Sequence, residues 1–246
     1  MYLEISPAFE NIRGFIENIE NHFESEKQVL HSGRNIIKKI SHNNNHFVVK
    51  SFGVPNLFNL FFYSFFRETK ANRSYQNAIA LLNAKIPTAI PVAFIEKYTM
   101  GFLGRSYFIA LRVDYDYDFH DINFERKLGT PNLFRQFADF SFQMHQAGFL
   151  HLDYTPGNIL VKEDQANYKF TVIDINRMKI GPVSWQQGAE SLGKIYFKEQ
   201  YMEIVACRYA ELAEVSQKEV WSRIQKSRNA FEQKKKLKKF LRFWKN

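Results

Sequence analysis

The 246-residue chain has a single cysteine, Cys207. That excludes an intramolecular disulfide and any cysteine-based zinc site, and it favours a reducing compartment. Nor is there an uninterrupted apolar run near the roughly 20 residues that cross a bilayer. The first residues, Met1-Tyr2-Leu3-Glu4-Ile5-Ser6-Pro7, lack the basic region and apolar core of a signal peptide. A cytoplasmic location is expected, with the alternative of peripheral attachment to the inner face of the cytoplasmic membrane. Acidic residues are in deficit, 25 against 34 Lys and Arg, for a net charge of +9. An anionic partner follows: nucleic acid, a phospholipid surface or a phosphorylated glycan.

What the chain does have is apolar and aromatic mass. Hydrophobic residues make up 45% and aromatic ones 16%, with 25 phenylalanines. This is enough for one sizeable core or for two lobes sharing a cleft, and it excludes a disordered polyelectrolyte.

The chemistry concentrates in His151-Leu152-Asp153-Tyr154-Thr155-Pro156-Gly157-Asn158 and in Val172-Ile173-Asp174-Ile175-Asn176-Arg177. Singly, Asp and Asn are turn and cap formers. As a set they offer a carboxylate for a substrate hydroxyl, then an amide and a second carboxylate where a divalent cation can bridge phosphate oxygens. A helix precedes the loop and strands flank the later groups. The pattern points to phosphoryl transfer, with Asp153 as the catalytic carboxylate and Asn158 and Asp174 as metal ligands.

Together with Gly33-Arg34-Asn35-Ile36-Ile37-Lys38-Lys39, Val48-Val49-Lys50-Ser51-Phe52 and Phe66-Arg67-Glu68-Thr69-Lys70-Ala71-Asn72-Arg73-Ser74-Tyr75, these segments resemble the lipopolysaccharide kinase (Kdo kinase and heptose kinase) branch of the protein-kinase-like superfamily. The likeness runs over about residues 27 to 200. It implies an α+β, two-lobed protein-kinase-like fold, with an N-terminal lobe built on an antiparallel five-stranded sheet and a mainly helical C-terminal lobe. It also implies ATP and Mg²⁺ as cofactors. Lys50 would hold the ATP phosphates, with Gly33 and Arg34 touching them from a turn that carries one glycine where the better-known kinase loop has three. Glu68 is the candidate partner of Lys50, and Ser74 stands where some relatives carry Glu. His151 would hold the catalytic loop by hydrogen bonds. Leu152 replaces the arginine with which regulated protein kinases read activation-loop phosphates, so that form of control is not expected. Thr155 stands where protein kinases often carry lysine. Asn176 replaces a glycine, and Asn tolerates positive φ.

Along the chain, residues 1 to 26 read as a leading helix, with Phe9, Ile12, Phe15, Ile16 and Ile19 at helical spacing. Three strands follow, over Gln28 to His31, Asn35 to Ile40 and His46 to Phe52, then a dense apolar patch over 55–66 and a helix to about Asn83. Pro91 to Tyr98 and Arg105 to Val113 complete the sheet. The N-lobe spans 27–113, a hinge 114–121, the C-lobe 122–233 and a basic amphipathic tail 234–246. In the hinge, the acidic cluster of Asp114, Asp116, Asp118, His120 and Asp121 reads as a hydrated linker ahead of a metal site. Thr130-Pro131 starts a helix that Gly148 ends.

The expected activity is that of an ATP-dependent sugar kinase of the inner core of lipopolysaccharide. The resemblance implies a Kdo (3-deoxy-D-manno-octulosonic acid) hydroxyl of a Kdo-lipid A precursor as acceptor. An anionic membrane surface is the expected partner, and nucleic acid is not. The alternatives are a protein or small-metabolite kinase of the same fold and an inactive kinase-like binding module. The retained lysine, base and metal ligands argue against the last.

Overall fold

The computed structural model describes residues 1–33, 35–54, 68–124, 126–127 and 129–243. Arg34, Arg67 and the apolar patch over 55–66 lie outside the described residues. The chain divides into two units, Met1–Asp114 and Tyr115–Asn246, the first built on an antiparallel sheet and the second mainly helical.

In the first unit come β1 (Tyr2–Ile5), α1 (Arg13–Glu17), α2 (Ile19–Ser25), β2 (Val29–Ser32), β3 (Asn35–His42), β4 (Asn45–Phe52), α3 (Lys70–Asn83), β5 (Pro91–Thr99) and β6 (Phe102–Leu111). The sheet runs β1-β5-β6-β4-β3-β2. It holds the five expected strands and one more at the edge, where Leu3 pairs with Ile95 and Ile5 with Ala93.

The leading segment is therefore not one helix. Tyr2-Leu3-Glu4-Ile5 is taken up by the edge of β5. The Asn18 side chain donates to Gly14 O at 2.9 Å, a local bond that competes with helix continuation, and α1 and α2 meet there. The helical spacing still served its purpose, since Ile12, Phe15, Ile16, Ile19 and Phe23 all enter the core against Phe47, Val49, Ile95 and Ile109.

Side chains alternate across a strand, so the opposite face of β4 carries Lys50 and Phe52. Phe52 packs there with Phe94, Ala71 and Tyr75 of α3. The helix starts at Thr69, whose hydroxyl accepts from Asn72 N at 3.1 Å.

The second unit contains β7 (Tyr117–Asp118), α4 (Phe119–Asn123), α5 (Pro131–Gln146), β8 (Phe149–His151), β9 (Ile159–Asp164), β10 (Asn167–Val172), β11 (Met178–Ile180), α6 (Trp185–Leu192), α7 (Glu199–Ala213) and α8 (Gln217–Phe243). The hydroxyl of Thr130 accepts from Leu133 N at 3.2 Å and caps α5 as the Thr-Pro pair predicted. The core of this unit is aromatic. Phe119 meets Phe137 at 4.8 Å and Phe197 at 4.9 Å between ring centroids, edge to face. Each such buried ring contributes about 1.5–3 kcal/mol.

Two ladders frame the loop over 152–158. β9 pairs with β10 and β11 with β8, so Ile159 faces Val172 and Met178 faces His151. The acidic stretch is occupied structurally: Asp116 accepts from Glu163 N at 2.8 Å, and Asp118 from His120 N at 2.7 Å as the cap of α4.

Candidate functional site

Asp153, Asn158 and Asp174 are brought together in the second unit by main-chain bonds around one histidine. His151 is buried. Its Nδ1 accepts from Asp153 N at 3.1 Å, which leaves Nε2–H to donate to Ile173 O at 3.0 Å. One imidazole thus ties the residue carrying the first carboxylate to the segment after β10 that carries the second. Burial pushes its pKa down, so the ring is neutral and acts as a brace.

The loop closes on itself through Asn158. Its Nδ2 donates to Asp153 O at 2.8 Å and to Thr155 Oγ1 at 3.2 Å, which gives Thr155 a role in loop closure. Both amide hydrogens are then engaged, and Oδ1 is the atom left to face a cation. Ile173 N donates to Asn158 O at 3.0 Å, which sets Asn158 one residue across from Asp174.

Asp174 adopts φ 56°, ψ 44°, left-handed backbone that costs a non-glycine residue about 1 kcal/mol. Positive φ was expected at Asn176. It falls on Asp174 instead, while Asn176 is buried in the following 3-10 turn and donates to Asp174 Oδ1 at 2.6 Å. The amide that replaces glycine holds the carboxylate, which a glycine could not do.

Among the described residues no cluster of three or more His, Cys, Asp or Glu side chains could hold a metal alone. An amide oxygen and a carboxylate are nonetheless a donor set that fits Mg²⁺, an ion that takes one or two protein ligands and completes its shell with phosphate oxygens and water. Asp153 is part-exposed, with Arg177 Nη1 at 4.0 Å from its Oδ2.

Lys50 and Gly33 are carried by the first unit. Lys50 is 8% exposed on the face of β4 that packs on α3, its Nζ 5.4 Å from the Phe52 ring centroid. Glu68, the expected partner, is an exposed residue just before the helix cap, and Ser74 turns its hydroxyl to Lys70 O at 2.8 Å. The buried carboxylate of this sheet face is Glu96, 6% exposed. Register puts it there: Ser106 pairs with both Phe52 and Glu96. Thr69 Oγ1 donates to it at 2.6 Å and Tyr98 OH at 2.7 Å.

Sequence reasoning passed over Glu96, whose signal was a charge directly after the apolar Pro91–Ile95 run. It also passed over Lys194, which donates to Leu152 O at 3.0 Å, and nothing in the local sequence marks that contact. A cavity of about 530 Å³ between α5 and α7, lined by residues including Arg135, Asp139, Cys207, Arg208 and Glu211, holds none of the candidate residues. Three of its charges pair with one another, since Arg208 reaches Asp139 at 2.6 Å and Glu211 at 2.9 Å.

Residues 43–225 match the profile of the lipopolysaccharide kinase (Kdo/WaaP) family. No curated protein matches the chain. Among solved structures, the fold is similar to that of WaaP in complex with acyl carrier protein, with a TM-score of 0.63, 16% identity, and coverage of 93% of this chain and 99% of that one. At that identity the likeness speaks for the fold.

Proposed function

We propose that this chain, which belongs to the lipopolysaccharide kinase (Kdo/WaaP) family, transfers the terminal phosphoryl group of ATP to a Kdo hydroxyl of a Kdo-lipid A precursor. The observation that carries the reading is the loop in which one neutral histidine fixes Asp153 while Asn158 and Asp174 present oxygen atoms close by.

Asp153 accepts the proton of the acceptor hydroxyl as that oxygen bonds to the terminal phosphorus. The bond from phosphorus to the bridging oxygen breaks, and ADP leaves with the electron pair. Asn158 Oδ1 and the Asp174 carboxylate hold Mg²⁺, which when bound neutralises charge on the phosphate oxygens. Lys50, with Gly33 and Arg34, is assigned to the ATP phosphates.

The chain has no helix, among the described residues, long and apolar enough to cross a membrane. In α8, however, Leu237, Phe240 and Leu241 recur on one helical face and are 58%, 57% and 53% exposed, beside exposed Lys234, Lys235 and Lys236. A basic helix end with a largely exposed apolar stripe suits an anionic leaflet, where basic residues contribute about 1 kcal/mol each. We assign the protein to the cytoplasmic face of the membrane that displays its acceptor.

The test is mass spectrometry of Kdo-lipid A incubated with protein, ATP and Mg²⁺. One added phosphate is expected, with turnover reduced about 10²–10⁴-fold by Asp153→Ala while ATP binding survives. Near-normal turnover by that variant removes Asp153 as the base. Phosphate appearing on a protein or small metabolite, and none on Kdo-lipid A, moves the acceptor to the alternative class.

A further inference from the structure

Two cations close on the main chain that carries Asp153. Arg177 O accepts from Leu152 N at 2.9 Å, and the Arg177 guanidinium turns back to Asp153 Oδ2 at 4.0 Å. On the other side of the same residue, Lys194 Nζ donates to Leu152 O at 3.0 Å. Lys194 is held there by what precedes it. A Cβ on Gly193 would lie 2.6 Å from Ile224 O and 2.8 Å from Ser227 Cβ, so only glycine lets the end of α6 press against α8.

Stability does not account for this placement. The side chains of Arg177 and Asp153 are 63% and 41% exposed, and a single long contact between such groups contributes no more than about 1 kcal/mol. Lys194 is half-buried, and its charged form is disfavoured by that burial and by Arg177 and Lys234, against the pull of Asp153 and Glu190. Glu190 is itself taken by Arg223 at 3.0 Å. Arg177 and Lys194 thus both stand beside Asp153, which attracts each of them.

We propose that Arg177 and Lys194 form an acceptor subsite that grips a carboxylate of the sugar substrate next to the hydroxyl that Asp153 deprotonates. This rests on the kinase reading above and deepens it, making the acceptor an acidic sugar recognised by its charge. Filling the subsite neutralises the two cations as the acceptor hydroxyl comes beside Asp153. The other anion present in the reaction is the terminal phosphate of ATP, and the experiment separates the two.

In calorimetry, Kdo monosaccharide and its methyl ester are titrated into wild type, Arg177→Ala and Lys194→Met, with melting curves confirming that each variant folds. Kdo is expected to bind wild type and to bind each variant about 10-fold more weakly, the size of one lost charge-assisted hydrogen bond. The ester should be bound equally weakly by all three. Equal Kdo affinity across the three proteins, or no Kdo binding by wild type, overturns the proposal. In steady state, KM for Kdo-lipid A should rise with KM for ATP unchanged, and Arg177→Lys should recover part of the loss. A rise in KM for ATP instead assigns the cations to the phosphate and also overturns it. A wild type that binds Kdo through these residues but leaves Kdo-lipid A unmodified defeats the kinase reading and spares the subsite.

Discussion

The Asn176 amide lies 2.6 Å from Asp174 Oδ1, across backbone that Asp174 holds in the left-handed region. The carboxylate that the proposed mechanism gives to the cation is thus oriented by a neighbour two residues on, in the way outer-shell partners orient metal ligands. Asn176→Ala removes that bond. The Mg²⁺ concentration for half-maximal turnover should rise about 10- to 100-fold, while KM for the acceptor stays near its wild-type value. A Mg²⁺ dependence identical to wild type would disconnect Asn176 from the metal.

Glu96 joins β5 to the start of α3. Its two oxygens receive Thr69 Oγ1 and Tyr98 OH, and the same Thr69 hydroxyl caps the helix. Glu96→Ala strands the buried Thr69 hydroxyl and leaves that of Tyr98 to solvent, and should cost about 1–3 kcal/mol in urea unfolding, with Glu96→Gln costing less because its amide can still meet both. Tyr98, pushed up to about 12 by burial and then by its bond to Glu96, should titrate closer to its ordinary value in Glu96→Ala. An unchanged midpoint and an unchanged tyrosine titration would speak against the clamp.

Acid should weaken the second unit before any carboxylate titrates. His145 is buried between Tyr209 OH at 3.0 Å and Ser191 Oγ at 3.2 Å, and burial pushes its pKa down to about 3 from 6.5. The folded value lies below the unfolded one, so as pH falls the unfolded chain takes the proton first. The stability contribution is intact above about pH 6.5 and lost progressively towards pH 3. The slope is about 1.4 kcal/mol per pH unit, or about 2 kcal/mol from this one residue by pH 5. His151, also lowered by burial, adds to the loss. Urea midpoints at pH 7.5, 6.5, 5.5 and 5 measure it, and a flat profile between 6.5 and 5 would contradict the neutral ring.

The end of α8 sets up the fourth prediction. Deleting residues 234 to 246 removes the apolar stripe with its lysines, and co-sedimentation with vesicles containing anionic lipid should fall at least about 10-fold at low salt. Binding by the full chain should itself weaken at physiological ionic strength. Unchanged co-sedimentation at both salt levels would take the membrane away from this segment.

Much of this was legible before any coordinates. Val48-Val49-Lys50 alternates like a strand, Thr130-Pro131 caps a helix through its own hydroxyl, and the apolar residues after Asn158 pair with those before Asp174, because each signal is local and its cause lies within a few residues. Contacts between distant positions were not legible. Glu96 meets Thr69 across 27 positions and Lys194 meets Leu152 across 42, and no periodicity announces either. The leading segment misled for a different reason. Its apolar spacing is helical, but Tyr2–Ile5 finds an open edge on β5 and the Asn18 side chain bends the rest, so pairing in space prevailed over propensity along the chain. At Asp174 the residue type said nothing of the left-handed turn, which the Asn176 bond accompanies.

His151 spends both ring nitrogens on the main chain, one receiving Asp153 N and the other giving to Ile173 O. No lone pair or hydrogen remains for passing charge inward. In the proposed mechanism a hydrogen ion collected by Asp153 leaves through the wet side of its own carboxyl group, so the base would be reset after each turnover by exchange with the surrounding water.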